Sequence, residues 1–274
     1  MQQKLRISFI GGGNMATALI GGLAGTVTDG ANIHVVDVNP ESLQKLAHQF
    51  SVTTSTEIDA TVSGSDVVVL AVKPQQMKQV VAALLPYVNG QLILSIAAGI
   101  QAVDLSRWLN GHDAIVRCMP NTPALIGKGI TGMVATAGVS AQQHDMADLI
   151  MCAVGSTIWL DDEAMIDSVT AISGSGPAYV FYFIEAMQQA AQELGLTMEQ
   201  GNALAVATFV GASQLAAGAV DPISVLRERV TSKGGTTYAA LNSLEASGVK
   251  ASIIEAAKAA AARGKELGEE FGRD

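Results

Sequence analysis

Leu5-Arg6-Ile7-Ser8-Phe9-Ile10-Gly11-Gly12-Gly13-Asn14-Met15-Ala16 joins an apolar, β-rich run to a glycine turn and then to a helix running to Leu23. The spacing fits G-x-G-x-x-G/A. Gly11 permits a tight turn, Gly13 lets the backbone approach a pyrophosphate, and the small Ala16 lets helix and strand pack closely. A helix beginning at Asn14 turns its unpaired N–H groups and the positive end of its dipole toward that anion. A glycine-rich surface turn has the same letters. The strand before it and the helix after it are the context that makes the motif a dinucleotide signal. Gly11, Gly13, Asn14 and Met15 are therefore expected cofactor contacts.

The pattern continues downstream. Ile33–Val36 reads as a second strand ending at Asp37, 24 residues after Gly13. There a carboxylate accepts hydrogen bonds from the adenine ribose and repels the 2′-phosphate of NADPH. No arginine follows, so the cofactor is NADPH or NADH with a lean to NADH. The competing reading has Asp37 capping the turn into Asn39-Pro40-Glu41, where a proline just inside a helix start follows an N-cap residue. Asn39 also offers a hydrogen bond to a phosphate.

The run 66–72 is continuously apolar after Asp66, as in a central parallel strand covered on both faces. It leads into Ala71-Val72-Lys73-Pro74 at the sheet edge where such folds bind ligands. Lys73 there is expected to meet a phosphate or a ribose; the alternative is a solvated lysine with Pro74 opening a helix. Gln91–Ile96 and Ala114–Cys118 are further strands. Small residues after the first of these (Ala97, Ala98, Gly99) suit the passage of a nicotinamide ring, and Asn121, just after the second, is expected with Ala98 among the cofactor contacts. Strands separated by helices argue for βαβ units. The fold expected is an α/β Rossmann-like domain over 1–161 and an all-α domain over 162–274, the latter with a long helix from Tyr179 to Leu194.

Composition narrows the function. A net charge of −9 leaves no basic stripe for nucleic acid. No apolar run approaches the length of a membrane span, and the apolar stretch Leu5–Ile10 is too short for a signal peptide. A cytoplasmic protein is expected. Cys118 and Cys152 read as reduced, mostly buried thiols, and the four histidines have no metal-ligand spacing. No metal is expected.

Met119-Pro120-Asn121-Thr122-Pro123, Ser173-Gly174-Ser175-Gly176-Pro177-Ala178-Tyr179 and Val230-Thr231-Ser232-Lys233-Gly234-Gly235-Thr236-Thr237 follow in order. With the N-terminal glycine loop and Ala71–Pro74, they resemble the pyrroline-5-carboxylate reductase family from Ile7 to about Glu245. The last segment is the most diagnostic. Unaided, it reads as a glycine-rich turn feeding a helix, with Thr236 or Thr237 as the cap and neighbouring N–H groups free for an anion.

The resemblance makes that anion the carboxylate of a cyclic imino acid. It implies substrate contacts at Ser232, Gly234, Gly235, Thr236 and Thr237, with the Thr237 hydroxyl reaching the ring nitrogen as the catalytic group. Ser173–Pro177 then lines the nicotinamide side; from the residues alone it is a turn entering the helix. The implied reaction takes 1-pyrroline-5-carboxylate to L-proline, in a homodimer with interleaved helical domains that some members assemble into a decamer. The rivals are a broader imine reductase, a β-hydroxyacid dehydrogenase-like enzyme and a non-enzymatic dinucleotide sensor. The dehydrogenase needs a lysine-type base on the helix Tyr179–Leu194, and that stretch has none.

Overall fold

The computed structural model describes residues 5–272. Its sheet has the order β3-β2-β1-β4-β5-β6-β7-β8. Strands β1 (Ile7–Ile10), β2 (Ile33–Val36), β4 (Val67–Leu70) and β5 (Leu92–Ser95) are buried along their whole length. Side chains alternate faces along a strand, so one apolar run feeds two cores. Ile7, Phe9, Val67, Val69, Leu92 and Leu94 enter one. Ile10, Val36, Val68, Leu70 and Ile93 enter the other. Helices α1 (Asn14–Leu23) and α2 (Pro40–Phe50) pack on the first face, and α3 (Pro74–Leu84) and α4 (Ala102–Trp108) on the second.

Three strands lie outside the sequence-read set. β3 (Thr53–Ser55) is a short polar edge strand pairing parallel with β2. Beyond β6 (Ile115–Met119), β7 (Gly129–Ala135) runs antiparallel to it, and β8 (Gly155–Trp159) follows α5 (Ala141–Cys152) to pair parallel with β7. β7 contains two glycines and β8 is half-buried, so neither shows the continuous apolar run of a central strand. The sheet is thus parallel except at the β6–β7 pair.

The change of character read at residue 161 marks the last strand. The compact unit itself runs further, as Met1–Ser175 with Ala260–Asp274; the second unit is Gly176–Ala259. Within the first unit, α6 (Met165–Val169) passes directly into a π-helical turn, Thr170–Gly174. The motif expected to be a simple turn before the long helix is therefore helical itself, with a wide turn of the kind frequent at functional sites.

The second unit is all helical. α7 (Gly176–Glu193) and α8 (Met198–Gly218) form a hairpin, and a Cβ added at Gly201 would lie 2.9 Å from the Ala191 Cβ. Thr197 and Gln200 close a capping box at the start of α8. α9 (Ile223–Arg229) and α10 (Thr236–Ala246) follow, and α11 (Val249–Phe271) starts in this unit and ends in the first. Phe181, Tyr182, Leu204 and Leu215 are all more than half exposed.

The two thiols differ. Cys118 is buried, and burial pushes its thiol well above the ordinary range. Cys152 is exposed at the end of α5, contrary to the expectation of two mostly buried cysteines. Its position follows from the helix face: Ala147, Ile150 and Met151 point inward, and residue 152 lands on the outer side.

Candidate active site

The strand order reverses between β1 and β4, and the glycine loop leaves β1 at that switch point. The Gly11 N–H donates to the Val36 carbonyl at 2.7 Å, and the Ala71 N–H donates to the Ile10 carbonyl at 2.8 Å. Gly11 has φ +105°, and a Cβ there would sit 2.5 Å from the Ala71 carbonyl oxygen. Conformation and space both demand glycine. Gly13 is different: a Cβ there meets no atom within 4 Å. It is the N-cap of α1 with no side-chain cap, so the first-turn N–H groups of that helix face open space. Asn14 is exposed, Met15 half-buried, and Ala16 is 1% exposed against the sheet. Open backbone donors at a helix N-terminus suit a pyrophosphate.

Asp37 stands beside the loop. Its Oδ2 accepts from the Gly12 N–H at 2.6 Å and its Oδ1 from the Asn39 N–H at 2.8 Å. Both sequence readings of this residue are compatible with the geometry, since one carboxylate braces the glycine loop and caps the turn into α2. Asn39 is the N-cap of α2, with Oδ1 accepting from Glu41 and Ser42. Ala71 and Val72 are half-buried at the end of β4, Lys73 is exposed as the N-cap of α3, and Pro74 is the first residue of that helix.

Ala98 is half-buried after β5, beside the buried Gly99 at φ +78°. Asn121 is buried, and its amide works internally. Oδ1 accepts from the Ile130 N–H at 3.0 Å, while Nδ2 lies 3.3 Å from the Ser173 carbonyl oxygen and hydroxyl. It ties the end of β6 to the π-helical turn.

The candidate substrate turn lies in the second unit. Gly234 has φ +73°, and the Gly235 N–H donates to the Ser232 carbonyl at 3.0 Å. A Cβ at Gly235 would fall 2.6 Å from the Ser232 Oγ, so only glycine leaves that hydroxyl its position. Gly235 itself is the N-cap of α10 and no side chain caps the helix. The threonine cap expected from sequence is thus corrected: Thr236 and Thr237 are the first residues inside α10. Their N–H groups belong to the open first turn, and the Thr237 hydroxyl is left for another partner.

Sequence reading missed a buried charge cluster in the first unit. Arg117 on β6 is 5% exposed, and its Nη1 donates to Glu163 Oε1 at 2.6 Å. The same oxygen accepts from the Ala102 N–H at 2.7 Å. A cleft of about 510 Å³ adjoins the pair, lined by Gly99, Gln101, Asp167, Lys265 and Gly268 among others. Burial raises the Asp167 carboxyl above its usual range, helped by Glu163 and opposed by Arg117 and Lys265. No local pattern announces this cluster, since 46 residues separate Arg117 from Glu163.

The two ends of the chain match two family models. Residues 6–99 match NADP oxidoreductase coenzyme F420-dependent, and residues 163–267 match pyrroline-5-carboxylate reductase dimerisation. The chain is 47% identical over 269 residues to a pyrroline-5-carboxylate reductase of Pseudomonas aeruginosa, covering 98% of both. A pyrroline-5-carboxylate reductase structure from Coxiella burnetii superposes with a TM-score of 0.91 at 39% identity, over 97% of this chain and 99% of that one. A Plasmodium falciparum pyrroline carboxylate reductase structure with NADP bound gives a TM-score of 0.86 at 28% identity, over 96% and 98%.

Proposed function

The chain belongs to the pyrroline-5-carboxylate reductase family, and on that premise we propose which of its residues carry the reduction of 1-pyrroline-5-carboxylate to L-proline. The observation that carries the assignment is the open helix N-terminus at Gly13, at the switch point of the sheet. When bound, a nicotinamide dinucleotide supplies the hydride. The protein's task is to hold that donor and the imine in register.

Gly11, Gly13, Asn14 and Met15 take the pyrophosphate, Asp37 the adenine ribose, and Ala71–Pro74 the adjoining ribose and phosphate. Ala98 seats the nicotinamide, and Asn121 at the end of β6 belongs to the same cofactor site. The Asp37 carboxylate favours NADH, whose ribose lacks the 2′-phosphate that a carboxylate repels. Ser232, Gly234, Gly235 and Thr236 receive the substrate carboxylate at the first turn of α10. The Thr237 hydroxyl donates to the ring nitrogen, which gains a proton as the adjacent carbon gains hydride. The imine nitrogen is itself basic, so no strongly shifted acid is needed.

The assay is oxidation of NADH and NADPH by purified protein with pyrroline-5-carboxylate, beside hydroxy-acid and larger cyclic-imine panels. Turnover of pyrroline-5-carboxylate above the others is expected; turnover of none would favour a sensor. Thr237→Ala should lower kcat about 10²-fold or more, within the range of general acid catalysis, while dinucleotide affinity stays unchanged. Unaltered steady-state kinetics would remove Thr237 from the mechanism.

The match to a dimerisation model points to an oligomer, and we propose a homodimer with interleaved helical domains acting in the cytoplasm. The exposed Phe181, Tyr182, Leu204 and Leu215 are the surface it would bury. Light scattering should give at least twice the chain mass; a decamer would appear as ten times, and a stable monomer contradicts the arrangement. Among the described residues, no helix is long and apolar enough to cross a membrane.

A further inference from the structure

Glu163 makes two bonds that serve different elements. Arg117 reaches it from β6, the strand next to β5, where Ser95 and Arg117 are register partners. Ala102 reaches it from the first turn of α4, whose N-cap Gln101 makes no side-chain cap. A helix start left uncapped by its own neighbours is thereby capped from 61 residues away. Between these anchors runs the segment 96–101. Its middle is clamped from the other side, because Gly99 lies against the end of α11. A Cβ on Gly99 would be 3.2 Å from the Gly268 backbone nitrogen, and a Cβ on Gly268 would be 2.9 Å from the Gly99 carbonyl oxygen. The segment is therefore gripped at its far end by a carboxylate and at its middle by backbone packing.

From this geometry we infer that Glu163, held by Arg117, is a positioning residue for the hydride-transfer step: it fixes the Ala98–Gly99 loop on which the nicotinamide rests. The inference stands on the assignment of Ala98 as the nicotinamide seat. Arg117 orients Glu163 but has no bond to the loop, so its part is indirect. The Glu163 carboxylate has one oxygen shared between a cation and an N–H. Removing its charge loosens the Arg117 tie, and removing its oxygen releases the start of α4. A loop displaced by a fraction of an ångström changes the approach of donor and acceptor more than it changes the affinity for a cofactor anchored at Gly13.

The test uses the full-length protein with Glu163→Gln, Glu163→Ala and the apolar pair Arg117→Met with Glu163→Leu, the last keeping the site filled if Glu163→Ala does not fold. Measured are kcat, KM for pyrroline-5-carboxylate, dinucleotide affinity by fluorescence, and the primary isotope effect with NADH deuterated at the transferred position. For Glu163→Ala or the apolar pair, kcat should fall about 10- to 100-fold, the scale of a misplaced reacting group. Dinucleotide affinity should hold and the isotope effect should rise, while Glu163→Gln, which keeps an acceptor for Ala102, should retain most of the activity.

An unmoved isotope effect in a folded variant would overturn the inference. So would a kcat loss matched by an equal loss of dinucleotide affinity. Ala98→Leu separates the underlying assignment: if it leaves turnover intact, the nicotinamide seat lies elsewhere and the inference falls with it. If Ala98→Leu abolishes turnover while the Glu163 variants do not alter it, only the positioning role is lost.

Discussion

Asp37 has two carboxylate oxygens, and the protein engages each of them: Gly12 with one, Asn39 with the other. Charge-assisted bonds of this kind are shorter and stronger than neutral ones, so the residue braces the loop in addition to the ribose contact proposed for it. That double duty shapes what substitution should do. Asp37→Ser keeps a short acceptor but removes the negative charge that opposes a 2′-phosphate. The ratio of kcat/KM for NADPH to that for NADH should rise about tenfold, equivalent to about 1.4 kcal/mol, with some loss of thermal stability as one brace disappears. Paired initial-rate measurements with the two cofactors check it. A ratio that does not move would place the discrimination elsewhere, on Asn39 or Lys73. Gly11 is legible for the same local reasons: a glycine between a strand and a helix has few explanations, and φ +105° with a Cβ excluded by the Ala71 carbonyl is the physical one.

At the scale of elements, α2 shows local signals agreeing with one another. Asn39 accepts from two first-turn N–H groups, Pro40 opens the helix and Ser51 closes it in a left-handed conformation. Asn39→Ala should cost about 1 kcal/mol, the usual worth of such a cap, read as a lower denaturation midpoint in urea at unchanged slope. Elements built this way, and strands as continuously apolar as β4, could be read from sequence. β7 and β8 could not, because their burial depends on what lies beside them in the sheet, and glycine in a strand signals nothing until its neighbour is known. At α10 the signal was present but ambiguous. Thr236 and Thr237 both read as the cap, and the backbone gives the role to Gly235 just before them. Glu163 capping α4 was invisible for a different reason: a cap supplied from a distant segment leaves no trace in the sequence around the helix it serves.

For the whole molecule, buried ionisable groups set how stability responds to acid. His34 is held among Thr53, Ser55 and the core, its ring nitrogens 2.9 and 3.1 Å from the two hydroxyls. Burial lowers its pKa below 6.5, partly offset by Asp59. The unfolded chain therefore takes up this proton first. The His34 contribution is complete above 6.5 and is lost as pH falls through the folded-state value. Asp167 has the opposite sign: its raised pKa gives a contribution present below 3.8 and lost as pH rises through the folded value. On acidification the two therefore contribute with opposite signs. His34→Gln should flatten the fall in melting temperature on acidification, and an identical slope in wild type and variant would assign the acid sensitivity to other groups.

One consequence of α11 concerns the order in which the protein is made. The helix starts in the second unit and finishes in the first, where Gly268 meets Gly99 and the Gly272 carbonyl accepts from Arg107 at 2.8 Å. A ribosome delivers the dinucleotide-binding strands early and this closing piece last. The first unit must wait, with the Gly99 loop uncovered on that side, until residues 260–272 have been made. A nascent chain stalled before residue 260 should therefore hold the sheet and its flanking helices with the Gly99 segment still loose, a difference that limited proteolysis of the stalled chain would read.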